Sequence, residues 1–483
     1  MPESESHQNE RLPLDPDAET MRSLGYELID RIVDHLTTLS DQRVGRRGTG
    51  AELAQLVDEP LPEQPGGIQD SFAFFFDRVV TGMTRVNHPR FHAHIPCPSS
   101  FAGAMGEMLA AGTNPFVGSW LGGGTLCSLE ITVLRWICEM LGYPNNAAGV
   151  LTSGGSMANL IGLASARAEY DSDLLSNGRI YVSVEGHASV RKAARLLGFS
   201  DQTIQTIGVD DRYRMKTAEL VDAINSDLAA GKEPFVVVAN AGTTNTGSID
   251  PLPEIADVCQ RMKLWLHVDA AYGGFAAIDS GTEQAGSPEG TRRLLAGMER
   301  ADSLTLDPHK WLYCPLGIGC VLVQRQDSLK RAFATEGHYL KDIPVEEVNF
   351  YERGPELSRP ARVLAVWMVI RSSGRAALAH QITEDIRLAQ LAAALLRADD
   401  RFEVIDPDLS VVAFRHRSRE GESEANRANR DTALMEATLA DGELMLSSTL
   451  LNGINTLRLV VMNHRTTERD VHRSVRRIQE LST

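Results

Sequence analysis

From Gly149 onward the chain alternates short apolar, β-rich runs with helical stretches, and this alternation constrains the fold more than any other feature. The runs are 179–184, 235–239, 264–268, 303–306 and 317–323. Strands of this kind, separated by helices, pair most simply in parallel and are covered by those helices. The pattern therefore predicts an α/β fold built on a mainly parallel sheet with helices on both faces. Ligands of such sheets bind in the loops just beyond the strand ends. Each chemistry-bearing segment below falls at such an end.

The flanks read differently. Residues 21–39 place Leu24, Leu28, Ile32, Leu36 and Leu39 at helical spacing, and 51–57 repeat the pattern before a Pro/Gly break. Each helix has one apolar face and little neighbouring sequence to cover it, so that face is expected against the rest of the subunit or a second copy. Beyond residue 371 a long Ala/Leu-rich helical stretch precedes strand-like 402–405, 410–414 and 456–461, which predicts a smaller α+β domain. We expect three parts: an N-terminal helical segment 1–85, its first ~18 residues disordered, a large domain 86–370 and a small C-terminal domain 371–483.

Charge narrows the function classes. With 48 Lys+Arg against 64 Asp+Glu, the net charge of -16 repels phosphate backbones and anionic lipid heads. No nucleic acid partner is expected. No stretch approaches the roughly 20 apolar residues that cross a bilayer, and the polar start carries no apolar export core. Six cysteines are scattered without a C-x-x-C pair, which fits a reducing, cytoplasmic setting.

The sharpest chemical signal is the segment 303–311, where an apolar strand ends in Asp307-Pro-His309 and delivers Lys310 beside Trp311. Desolvation and neighbouring groups can depress the pKa of such a lysine until it serves as a Schiff-base amine. An isolated lysine there would more simply snorkel to water. Upstream, 264–268 run straight into Asp269 followed by Ala271, and a carboxylate closing a buried strand needs a cationic partner such as a pyridinium N–H. Alone, it would read as a helix cap. A third segment, 151–160, is a glycine-rich turn at Gly155 and Ser156 that opens a helix, where backbone N–H groups and the Ser156 hydroxyl could hold a phosphate. No Walker lysine follows it. His187 follows the 179–184 strand and could lie over a flat ring, while Thr244 ends another strand with hydroxyls available for polar groups. His88, His92 and His94 lack the partners a metal set requires, so no metal is expected.

Together, the glycine/serine turn, His187, the Thr-Thr turn, H-V-D-A-A-Y and D-P-H-K-W resemble, in order and spacing, the group II decarboxylases dependent on pyridoxal 5'-phosphate, and most closely their aromatic-L-amino-acid branch. The resemblance runs from about Leu24 to the C-terminal N-x-x-T-T segment. It implies a fold type I enzyme working as a homodimer with its site at the subunit interface. By position it makes Lys310 the Schiff-base lysine, Asp269 the pyridine partner, His187 the ring-stacking histidine and Ala271 the small residue opposite. Gly155, Ser156 and His309 match phosphate contacts, Thr244 the cofactor's polar edge, and Asp307 stands where asparagine is common. Tyr339 matches the loop tyrosine that returns a proton to the substrate carbon, where related aldehyde synthases have phenylalanine; a hydroxyl can donate and a phenyl cannot. The implied substrate pocket comprises His94, Ile95, Pro96, Cys97, Phe116, Gly118 and Ser358. His94, Ile95 and Gly118 replace residues that are often aromatic, which leaves decarboxylation of an aliphatic or acidic amino acid as an alternative to an aromatic substrate; oxygen-dependent aromatic aldehyde formation is the other alternative to the amine product.

Overall fold

The computed structural model describes residues 15–482 apart from 47, 65, 171–172, 280–289 and 336–346. Most of the N-terminal stretch expected to be disordered, and the whole loop around Tyr339, lie outside the described residues. The chain divides into two compact units, Met1–Arg85 and Val86–Thr483.

In the first unit the helix Ala18–Thr37 begins at Asp17, whose carboxylate accepts from Thr20 N. The helix Gly50–Val57 opens with a capping box in which Thr49 and Glu52 satisfy each other's backbone amides. Leu24 and Leu39 are buried here, while Tyr26, Leu61 and Phe75 are exposed.

The second unit holds two sheets. The larger has seven strands: β1 (Ala148–Thr152), β2 (Gly178–Ser183), β3 (Ile204–Ile207), β4 (Glu233–Asn240), β5 (Trp265–Asp269), β6 (Ser303–Leu306) and β7 (Gly319–Val323). Their spatial order is β1-β7-β6-β5-β4-β2-β3. All neighbours are parallel except β7, which runs antiparallel to both β1 and β6. β6 and β7 are joined by 307–318, turns and loop without a helix, so β7 returns beside β6 in the antiparallel sense. β4 to β7 are buried along almost their whole length, as strands covered on both faces must be.

The smaller sheet is antiparallel, in the order β10-β11-β9-β8, from β8 (Phe402–Ile405), β9 (Val411–His416), β10 (Ser447–Leu451) and β11 (Ile454–Val460). It packs with the helices Glu424–Asp441 and Glu468–Leu481 around a second core that includes Leu388, Phe402, Phe414, Leu459 and Ile478. The 35-residue helix Val363–Arg397 feeds both cores and is broken by non-helical Gly374. The expected 370/371 division falls just before that kink.

Candidate active site

Five strand ends converge on one cavity of about 270 Å³. The segment after β6 sets its floor. Trp311 is fully buried, stacks on Tyr272 with ring centroids 4.9 Å apart and donates from Nε1 to Asp385 Oδ2 at 3.1 Å. On the other side of Lys310, His309 is tied through Nδ1 to Ile318 O at 2.7 Å. Lys310 is thus held between two anchored neighbours, with its amine at the cavity.

Lys310 Nζ lies 2.9 Å from Asp307 Oδ2, and Asp307 is 3% exposed. Burial works to lower the Lys310 pKa, but the charge and hydrogen bond of Asp307, with smaller help from Cys97 and Asp269, outweigh it and leave the pKa raised. The depressed lysine expected from sequence is therefore not what this arrangement produces, because the desolvated ammonium has a buried carboxylate in contact. The other Asp307 oxygen, Oδ1, is buried without a hydrogen-bond partner among the described residues.

At the opposite end Asp269 closes β5. Its Oδ1 accepts from Ala271 N at 3.2 Å and its Oδ2 from Asn159 Nδ2 at 2.8 Å. Between the two carboxylates the helix Gly155–Arg167 presents its N-terminus to the cavity with no side-chain cap among the described residues, flanked by Ser153, Ser156 and His309. A Cβ on Gly155 would lie 2.8 Å from Asp307 Oδ2 and 3.2 Å from Ala271 Cβ, so only glycine keeps this cradle open. His187, Thr244 and Ala271 complete the wall. His187 Nδ1 accepts the Ser189 N–H at 3.2 Å, and Thr244 O accepts from Arg458 Nη2.

The cavity therefore gathers Lys310, Asp269, His187, Gly155, Ser156, Thr244, Ala271, Asp307 and His309. The expected substrate-pocket residues do not line it. Cys97 stands close enough to feel Lys310, and burial pushes its thiol up to about 12. His94 is held at φ 57, its N–H donating to Ser447 Oγ and its carbonyl accepting from Arg458. Ile95 packs on the main core and Pro96 is buried. Phe116 and Gly118 adjoin the 357–358 segment instead: a Cβ on Gly118 would meet the Phe116 ring at 2.3 Å and Leu357 O at 2.6 Å. Ser358 is exposed. Tyr339 lies outside the described residues. His92 has both ring nitrogens occupied, by Val460 O and Ser474 Oγ, each at 3.0 Å.

Sequence reasoning passed over Asn159, Ser189 and Arg458. Asn159 had a signal: it is a polar residue in the apolar run after Gly155, four positions on and so on the same helical face.

A pyridoxal phosphate fits this chemistry. It needs donors for a phosphate, an acceptor for a protonated ring nitrogen and an amine to bind its carbonyl carbon. The uncapped helix N-terminus with Ser153, Ser156 and His309 offers the first, Asp269 the second and Lys310 the third.

Comparison with known proteins agrees. The profile of the family described as "Pyridoxal-dependent decarboxylase conserved domain" matches residues 51–417. An aromatic-L-amino-acid decarboxylase of Bacillus atrophaeus is 36% identical over 469 residues, covering 96% of this chain and 96% of that protein. A phenylacetaldehyde synthase of Arabidopsis thaliana is 31% identical, again with 96% of each chain covered. The crystal structure of Oryza sativa TDC with PLP and tryptamine superposes with a TM-score of 0.90 at 29% identity, covering 98% of this chain and 99% of that one.

Proposed function

The chain belongs to the pyridoxal-dependent decarboxylase family, and we propose that it removes the carboxyl group of an aromatic L-amino acid to give the amine and CO2. The observation that carries this reading is that Lys310, Asp269 and the open helix N-terminus at Gly155 line one cavity together. The aromatic class rests on the named relatives, and the aliphatic or acidic alternative finds no support among them. When bound, pyridoxal 5'-phosphate supplies a carbon that takes up an amine and a protonated ring that accepts the electron pair left as CO2 departs.

This chain's residues do the rest. Lys310 would provide the amine that holds the cofactor. Its Nζ must first lose a proton, and Asp307 Oδ2 favours the charged form until then. Asp269 would accept the ring N–H and keep that proton in place. The N–H groups at the start of the Gly155–Arg167 helix, with Ser156 and His309, would hold the phosphate, and Thr244 would meet the polar edge. His187 would face one side of the bound ring and the small Ala271 would leave room at the other. Tyr339, through its phenol, returns a proton to the substrate Cα, which favours amine over aldehyde.

We further propose that the working form is a homodimer. Phe116, Gly118 and Ser358 stand apart from the cavity of their own chain, so a second copy would bring them to the site as the substrate wall together with His94, Ile95, Pro96 and Cys97. A cytoplasmic location fits six free cysteines. Among the described residues no helix is long and apolar enough to cross a membrane.

The test is a panel of L-amino acids assayed for amine, aldehyde and peroxide together, with Lys310→Ala as control. Amine without peroxide from an aromatic substrate is expected. Peroxide matching product, or Lys310→Ala at the wild-type rate, refutes the reading.

A further inference from the structure

Between β5 and the helix Gly155–Arg167 runs a chain of buried hydrogen bonds whose polarity is fixed at both ends. Strand geometry places His267 and Asp269 on one face of β5, with Ser303 opposite His267 on β6. A Cβ on Gly162 would lie 2.5 Å from His267 Cε1, so this glycine admits the imidazole against the helix.

At one end an indole N–H can only donate, and Trp265 Nε1 donates to Ser303 Oγ at 2.8 Å. The Ser303 hydroxyl lies 2.7 Å from His267 Nδ1 and donates to it when the ring proton is on Nε2, the nitrogen that faces the Asn159 oxygen. Burial holds the His267 pKa down to about 4, against the pull of Asp269, so the ring is neutral and its single proton sits on Nε2. That proton goes to Asn159 Oδ1 at 2.9 Å. At the other end a carboxylate can only accept, which turns Asn159 Nδ2 toward Asp269 Oδ2 at 2.8 Å. The second proton of the same amide goes to Ser189 Oγ at 2.8 Å. The Ser189 backbone N–H donates to His187 Nδ1 at 3.2 Å, which makes that nitrogen the acceptor, and the Ser189 hydroxyl, 2.6 Å from the same nitrogen, is then left to donate to it as well. A ring nitrogen that receives two donors carries no proton.

We propose that Asn159 is the positioning residue that sets both side chains flanking the cofactor cavity: its amide holds the Asp269 carboxylate and, through Ser189, confines His187 to the tautomer with its proton on Nε2. His187 therefore offers a donor at its free edge, where Nε2 makes no hydrogen bond among the described residues. A neutral amide does this without altering the charge of Asp269. What the two flanking groups do for the reaction rests on the function proposed above; the tautomer rests on the hydrogen bonds alone.

The experiment is nitrogen NMR of the full-length chain carrying 15N-histidine, cofactor-free and cofactor-loaded, with His187 assigned by the signals missing from His187→Gln. The expected wild-type spectrum has a pyridine-type Nδ1 and a pyrrole-type Nε2. Asn159→Ala releases the Ser189 hydroxyl, so both tautomers are expected, and loss of a hydrogen bond to a charged group weakens pyridoxal phosphate binding about tenfold or more in equilibrium dialysis. Ser189→Ala, leaving only the longer N–H contact, also mixes the tautomers but spares cofactor affinity, and Ser189→Thr restores the wild-type spectrum. A proton on Nδ1 in the wild type overturns the proposal, as does a wild-type spectrum and affinity in folded Asn159→Ala. If Asn159→Ala does not fold, an unchanged spectrum in Ser189→Ala overturns it. Read on the cofactor-free chain, the spectrum decides the tautomer whether or not Lys310 proves to carry the cofactor.

Discussion

Replacing Asp307 with asparagine should free the Lys310 amine. At 2.9 Å the gross attraction between the two charges is about 6 kcal/mol for an effective dielectric of ~20. Burial of the ammonium opposes it first, and what survives is that of a charge-assisted hydrogen bond, about 1.5–3 kcal/mol. Each 1.4 kcal/mol is tenfold, so at a pH where the wild-type amine is mostly protonated the neutral fraction in Asp307→Asn rises roughly ten- to a hundredfold. The assay mixes cofactor-free protein with pyridoxal, which lacks the phosphate, and follows covalent capture by absorbance between about pH 7 and 9. Pyridoxal separates the effect on Lys310 from any relief of a phosphate near the unpartnered Asp307 Oδ1. Faster capture is expected, with the gain shrinking as pH rises and the wild-type amine deprotonates unaided. Capture no faster than wild type across that range refutes the idea that this ion pair holds Lys310 protonated.

Three further outcomes follow from the same geometry. Asp269→Asn removes the negative charge at the ring-nitrogen end and should lower kcat/KM on the order of a hundredfold; its amide cannot accept from both Ala271 N and Asn159 Nδ2, so the unfolding midpoint should also fall, by the equivalent of about 1–3 kcal/mol. Gly155→Ala sets a methyl 2.8 Å from Asp307 Oδ2 and should weaken cofactor retention, measured by dialysis, far more than it lowers Tm. Burial raises the Asp385 pKa to about 7 despite hydrogen bonds from Tyr313, Gln381 and Trp311, so the folded chain holds a proton that the unfolded chain releases near pH 4. Stability from this group is present below pH ~4 and lost as pH rises toward 7; urea midpoints should fall over that window in the wild type and flatten in Asp385→Asn.

Legibility in the sequence tracked how local the cause was. β4, β5 and β6 announced themselves because strands buried on both faces must be apolar throughout, and 235–239 differs from Glu233–Asn240 only at its ends. β3 and β10 were not legible: β3 is four residues at a sheet edge, and β10 exposes three of its five positions partly or fully, so neither carries a continuous apolar run. β1 was obscured by Gly149 and the polar turn before it. The reversed direction of β7 was equally hidden, since strand polarity depends on the length of a connection whose residues read as loop.

The site divides in the same way. Lys310, Asp269, Gly155 and His187 sit where a strand ends, and the change from apolar to chemical side chain is written in adjacent residues. Asn159 meets Asp269 across 110 positions and Ser189 across 30, and no local pattern can report such a contact. Nor could sequence give the sign of the Lys310 shift, because it turns on whether one carboxylate three residues away points at the amine. In a turn where Lys310 N bonds to Asp307 O, it does. Desolvation alone would have made a ready nucleophile; with Asp307 in contact the free chain instead stores the amine charged, so loading the cofactor requires that one buried proton be given up first.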